Sequence, residues 1–224
     1  MKLFLKLSLS VIFSTLSLCA HADDFSDGVA SYVRQDFPAA AAAFKKAAEQ
    51  GNSDAQFNLG LMYLKGEGVT QDYVEAKALF EKAALQNNVR AQVNLARMYA
   101  KAKGVAPNYA KAVYWFNKAA ELGYADAQYS LGVLYVNGIG VSRDYNKALD
   151  LFSKAAKQKS ASAQYQLGLM YLKGKGVAID KVTALKCLIL AGDYEDAVTY
   201  RSYAESQMSA KEIEEAKAQA MQAQ

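Results

Sequence analysis

The stretch AQFNLGLMYLKGEGV, Ala55 to Val69, returns as AQVNLARMYAKAKGV from Ala91, AQYSLGVLYVNGIGV from Ala127 and AQYQLGLMYLKGKGV from Ala163. Each copy begins 36 residues after the one before. A period of roughly 20–50 residues marks an array of stacked supersecondary units, each unable to bury its apolar face alone. At 52% hydrophobic residues and only two prolines, the 224-residue chain has the material for such a core and little that breaks helices.

Two helical halves are legible in each copy. Ala55, Leu59 and Tyr63 stand at i, i+4 and i+8, one face of a helix. The triad recurs as Ala91/Leu95/Tyr99, Ala127/Leu131/Tyr135 and Ala163/Leu167/Tyr171. The alanine admits a close neighbour, and the tyrosine fills the wider gap near the turn. Gly60, Gly132 and Gly168 cost helix propensity, a cost tolerated where close backbone packing leaves no room for a side chain; Ala96 holds this place in the second copy. The half ends in Gly66-Glu67-Gly68, Gly138-Ile139-Gly140 or Gly174-Lys175-Gly176, turns that need positive φ. The second copy keeps only Gly104 and has Ala102 in the first glycine position, which predicts a distorted turn.

Asp72, Asn108, Asp144 and Asp180 predict the N-caps of the second helices. Their apolar faces read Ala76/Phe80/Ala84, Ala112/Phe116/Ala120 and Ala148/Phe152/Ala156. Lys82, Lys118 and Lys154 oppose the negative end of the helix dipole, and Gly51, Gly123 and their equivalent Asn87 close helices. Gln56, Gln92, Gln128 and Gln164 are identical in all four copies, which fits a repeated structural hydrogen bond better than partner selectivity.

Projected backwards by the period, Asp36, Phe37 and Phe44 match Asp72, Tyr73 and Phe80, with Pro38 in the first turn where a missing N–H does no harm. Residues 23–54 thus read as an N-terminal half repeat and cap, with 23–35 a shortened partner helix. Repeats follow at 55–90, 91–126, 127–162 and 163–192, then capping helices in 193–224, over 193–207 and 210–222. Ser209 to Glu212 reads as a capping box.

The first residues combine Lys2 and Lys6, an apolar run from Leu7 to Leu18 too short to span a bilayer, and the cleavage pattern Ala20-His21-Ala22. Residues 1–22 are expected to be a signal peptide, placing the protein in a bacterial periplasm or outside the cell. The rival, a lipoprotein signal on Cys19, meets Leu18 where a small residue is expected. Cleavage removes both lysines and no acid, so the net charge of +4 falls to +2, too small for electrostatic capture of nucleic acid. It also removes His21 and Cys19, leaving Cys187 without an internal disulfide partner.

The recurring A-x-x-x-L-G-x-x-Y-x-x-G-x-G-V-x-x-D-x-x-x-A-x-x-x-[FW]-x-x-A-A resembles the Sel1-like repeat, a relative of the tetratricopeptide repeat, from Ala55 to about Gly192. The resemblance implies an all-α, right-handed α/α superhelical solenoid whose first-half helices line the concave side. It implies a scaffold or adaptor role in protein–protein contacts, with secreted bacterial members linked to envelope signalling, envelope assembly or host interaction. One subgroup pins each repeat with a disulfide and is associated with β-lactams; this chain lacks those cysteines, so that property does not transfer.

The sequence offers little catalytic chemistry. Without His21 there is no Ser–His or Cys–His pair and no typical zinc set. No serine of the mature chain has a lysine three residues on. The Gly-x-Gly turns lack the third glycine and the preceding strand of a dinucleotide site. Asp23, Asp27 and Gly28 resemble a calcium loop, but Arg34 stands where its glutamate belongs. Asp193 to Asp196 reads as an acidic helix start. Cys187 follows Leu79, Trp115 and Leu151 in an apolar packing column, so it reads as an inert buried thiol, and Trp115 as core. The reading therefore assigns no catalytic residue, cofactor or metal.

On the first helices a second column points away from the triad: Phe57, Asn58 and Leu61, then Val93, Asn94 and Arg97, then Tyr129, Ser130 and Val133, then Tyr165, Gln166 and Leu169. Aromatics beside amides and an arginine suit an interface with another chain, although such a column also fits packing between adjacent first helices. Phe57, Asn58, Leu61, Asn94, Arg97, Tyr129, Val133 and Tyr165 are the candidate partner contacts. The expected function is non-catalytic binding of a protein or peptide along the concave face, with no nucleic acid and no membrane span in the mature chain. Two alternatives stand beside it: a hydrolase of β-lactam or cell-wall compounds, and a structural subunit of an envelope assembly.

Overall fold

The computed structural model describes residues 24–101, 104 and 106–223, all of whose regular structure is helical. The expected signal peptide and the distortion expected at Ala102 lie outside the described residues. The chain divides at Pro107/Asn108 into two compact units. The first holds α1 over 24–33, α2 (Phe37–Glu49), α3 (Ser53–Lys65), α4 (Tyr73–Leu85) and α5 (Val89–Lys101). The second holds α6 (Tyr109–Glu121), α7 (Ala125–Asn137), α8 (Tyr145–Lys157), α9 (Ala161–Lys173), α10 (Lys181–Leu190), α11 (Ala197–Glu205) and α12 (Ala210–Met221). From α2 to α5, and again from α6 to α10, each helix packs on the next, and α10 also receives α11 and α12.

The local signals act as the sequence implies. Asp72, Asn108, Asp144 and Asp180 each accept a backbone N–H of the following helix, as does Asp36. Gly66, Gly138 and Gly174 end their helices in the left-handed conformation. Asn52, Asn88 and Ser160 cap the first-half helices by accepting from Ala55, Ala91 and Ala163, a device the sequence reading passed over. Ser209 and Glu212 form the reciprocal capping box. The cap is otherwise shorter than expected: 191–196 makes turns, and α11 begins only at Ala197.

The packing faces are also as expected. Ala55, Leu59, Ala127, Leu131, Ala148 and Phe152 are buried, with Tyr63, Tyr135 and Tyr171 half-buried on the same cores. Gly60 and Gly132 face a ring of the second helix rather than a neighbouring backbone, which corrects the expectation of backbone-to-backbone packing there, while a Cβ on Gly168 would meet Leu188 and also the Ala184 carbonyl oxygen at 3.3 Å. A Cβ on Gly60 would stand 2.8 Å from the Phe80 ring, and on Gly132 2.6 Å from the Phe152 ring. Gly28 meets Phe44 at 2.5 Å in the same way.

Gly28 corrects the reading of the N-terminus. Gly60 to Phe80 and Gly132 to Phe152 each span 20 positions, while Gly28 to Phe44 spans 16. Four residues are missing from the connection, so a fixed period aligns only the second half. In the shortened register Phe25 occupies the place of Phe57. The Phe25–Phe44 centroids lie 5.8 Å apart at 44°, against 6.0 Å at 42° for Phe57–Phe80. Residues of α1 and α2 thus form a whole repeat with a clipped turn.

The invariant glutamines are structural. Gln56, Gln92, Gln128 and Gln164 donate from Nε2 to the carbonyls of Ala48, Ala84, Ala120 and Ala156, tying each first helix to the helix before it. Gln86 and Gln158 in turn donate to Gln56 and Gln128 at 2.9 Å. The Oε1 of Gln92 is buried without a partner among the described residues. Replacing Gln128 by leucine strands a carbonyl and an amide, with an expected loss of about 1–3 kcal/mol in urea unfolding. Gln92→Leu should cost less, since part of that amide is already unsatisfied.

Candidate partner-binding surface

The predicted column divides by burial. Phe57 is 5% exposed, its ring tilted on Phe80 and its face covered by Arg90 at 4.7 Å, which pairs with Asp54 at 2.7 Å. Tyr165 is also 5% exposed, with ring contacts to Tyr194 at 5.8 Å and Tyr200 at 6.1 Å. Val93 is buried and Tyr129 half-buried, its ring 5.9 Å from that of Phe152. The aromatic positions of the column therefore pack within the fold, and in this conformation Phe57 and Tyr165 present almost no surface.

Its neighbouring positions are open. Asn58, Leu61, Asn94 and Val133 are half-buried and Arg97 is exposed. Asn94 Nδ2 donates to the Arg90 carbonyl at 2.9 Å. Asn58 and Leu61 meet Val29, Tyr32 and Val33 of α1 over the Phe44 ring, around a depression of about 220 Å³. Val33 is 75% exposed and Val29 40%. Tyr32 forms one wall, donating to Glu67 Oε2 at 2.9 Å with its ring edge on Phe37 at 5.3 Å. That hydrogen bond, then desolvation, holds the Tyr32 hydroxyl above its ordinary pKa. The sequence reading missed the three α1 residues because it gave α1 no register; in the shortened register Val29 matches Leu61.

In the second unit the corresponding surface is covered by the chain itself. The turns after α10 bring the Tyr194 hydroxyl within 3.5 Å of the Tyr129 hydroxyl, and Tyr194 packs on Tyr165. Desolvation, then the contact with Tyr129, raises the Tyr194 hydroxyl well above the tyrosine range. Tyr129 and Tyr165 thus hold the C-terminal cap.

Cys187 lies among Ala148, Phe152, Leu167 and Met170, 6% exposed. Burial pushes its thiol up from 9.0 to about 11. A group kept neutral in the fold stabilises fully below its unfolded pKa and loses that contribution as pH rises. Stability should therefore fall between pH 9 and pH 11, by up to about 2–3 kcal/mol from this thiol. Urea melts across that range check it, the slope easing in Cys187→Ser; iodoacetamide should label the folded protein slowly at pH 8 and the unfolded chain fast.

The Sel1 repeat family matches residues 25–52, 53–88, 89–124, 125–160 and 161–193. The chain belongs to the Sel1 repeat family. Five repeats are matched, with the first falling on the clipped unit of α1 and α2, and the repeat at 89–124 has its two helices in different units. A crystal structure of a Sel1 repeat protein from Oxalobacter formigenes is similar at 28% identity and TM-score 0.72, over 84% of this chain and 86% of that one. A second, of a protective antigen present in uropathogenic Escherichia coli strains with an SLR fold, is 30% identical with TM-score 0.60. It is matched over 91% of this chain and 53% of its own length, so this chain spans about half of it. No curated protein matches. The architecture is an all-α solenoid of Sel1 repeats. Sel1 repeats typically bind proteins and generally serve as non-catalytic interaction scaffolds. No helix among the described residues is long and apolar enough to cross a membrane.

Proposed function

We propose that this Sel1 repeat protein is a non-catalytic adaptor, exported to the bacterial envelope, that holds a protein or peptide against its first-half helices. The depression between α1 and α3 carries the reading: valines and a tyrosine left exposed beside an amide, over a buried ring. An apolar centre with a polar rim is the anatomy of a protein interface. Leu61, Val29 and Val33 supply apolar contact, and Asn58 sets register. Asn94 and Arg97 on α5 are further contacts from the predicted set, and Phe57 shapes the surface from beneath, whereas Tyr129 and Tyr165 are taken up by the C-terminal cap.

Benzoylphenylalanine at Val33 or Leu61 of the full chain, irradiated in intact cells, tests this. A discrete adduct is expected from either position and not from Lys82, exposed on the second-half helix α4. Leu61→Asp should abolish the Val33 adduct while the circular dichroism melt persists. Adducts from Lys82 but from neither depression position would remove the site, and robust nitrocefin turnover by the purified chain would favour the hydrolase.

A further inference from the structure

The second unit carries the same cleft twice, one repeat apart. The first is lined by Asn117, Glu121, Leu131, Tyr135, Asp150 and Lys154, among others, between α6, α7 and α8. The second, of about 550 Å³ between α8, α9 and α10, has every one of those positions displaced by 36: Ser153, Lys157, Leu167, Tyr171, Lys186 and Leu190. The lining positions are shared between the two copies, the first of about 380 Å³, and the sign of the charge is reversed at two of them, the first cleft balancing Glu121 and Asp150 with Lys147 and Lys154. In the first cleft Asp150 holds Lys154 at 2.6 Å. In the second both acidic positions have become lysine, and no lining residue is acidic. Neither Lys157 nor Lys186 pairs with a carboxylate among the described residues, while Lys159, which also lines the cleft, has an interaction of its own. The acid nearest in sequence, Asp180, is engaged as the α10 cap by Thr183 N at 3.0 Å and Thr183 Oγ1 at 2.6 Å.

Two lysines with no ion-pair partner among the described residues repel each other beside a concave wall and attract an anion, against the single nearby charge of Asp180, which acts on Tyr171 and Cys187; a compact ammonium suits phosphate oxygens as a point charge. Ser153 adds a hydroxyl at the rim, the Thr183 hydroxyl being already donated to Asp180, while Ala156, Leu167, Cys187 and Leu190 give the wall an apolar part. A volume of this size matches small-molecule sites. We propose that the cleft between α8, α9 and α10 binds a phosphorylated small molecule with an apolar body, its phosphate held by Lys157 and Lys186. This site is separate from the depression between α1 and α3.

The test is an NMR titration of the full chain at low salt with phenyl phosphate, inorganic phosphate and benzoate. Phenyl phosphate should give saturable shifts at Ser153, Thr183 and Lys186, bind more tightly than either other probe, and weaken with salt. Lys157→Glu with Lys186→Asp installs the residues that the preceding cleft carries, so the variant should fold, and it should bind phenyl phosphate about tenfold more weakly or worse. The reciprocal Glu121→Lys with Asp150→Lys should create a second saturable site at the preceding cleft. No saturable shift in the parent chain, unchanged affinity in the first variant, no second site in the reciprocal one, or tighter binding of benzoate would each overturn the assignment.

Discussion

Replacing Phe152 by alanine lowers the unfolding free energy by about 3–5 kcal/mol in the expected result. The ring is fully buried within α8 and fills the space left by the missing Cβ of Gly132, with Tyr129 tilted on it at 5.9 Å. Deleting it removes the transfer energy of the ring and leaves a void between two helices that the other packed repeats prevent from closing. Phe152→Leu should cost only about 1 kcal/mol, because Leu188 fills the same place over Gly168 one repeat later. A double-mutant cycle separates shape from burial. Gly132→Ala alone drives a methyl into the ring and should itself destabilise. Combined with Phe152→Ala, the methyl occupies vacated space, so the pair should couple favourably by about 1 kcal/mol or more. Urea unfolding of the four chains checks this; additivity would mean that ring and glycine do not form one packing unit.

That unit also shows how far the sequence alone could be read. Ala55, Leu59 and Tyr63 announce their face by helical spacing, and Asp72 and Asp144 announce their caps, because these signals are local and recur in register. What Phe57, Tyr129 and Tyr165 touch is not local. Their spacing places them off the triad face, but only the second helix and the C-terminal turns decide that the rings are covered, and Tyr194 reaches Tyr129 from 65 positions away. Nor does a fixed period survive a deletion. With four residues missing between α1 and α2, Phe25 and Gly28 fall out of step, so half a repeat was visible where a whole one exists. Val29, Tyr32 and Val33, which complete the depression around Asn58 and Leu61, were hidden by the same slip. The charge reversal from Glu121 and Asp150 to Lys157 and Lys186 was present in the letters throughout, but it has meaning only once those positions line a cleft.

Gly140→Ala is the second large effect, at about 2–5 kcal/mol. The first glycine of each turn ends a helix, whereas the second joins one repeat to the previous one. Gly140 has φ +72°, and a Cβ there would stand 2.8 Å from the carbonyl carbon and oxygen of Tyr109, the first residue of α6. Gly176 stands the same way on Tyr145, the first residue of α8, at 2.9 Å. Backbone cannot rotate aside as a side chain can, so the methyl must spread the two repeats or distort the turn. Gly123 is the control: its φ is +84°, but nothing lies within 4 Å of its Cβ position. Gly123→Ala should therefore show only the left-handed strain, about 1–2 kcal/mol. The excess at Gly140 over Gly123, measured by urea unfolding, isolates the inter-repeat contact. Spreading at this joint would also widen the α6–α7–α8 cleft. If Gly140→Ala and Gly123→Ala cost the same, the second glycine of the turn serves conformation alone, and the spacing between repeats is fixed by the helix faces.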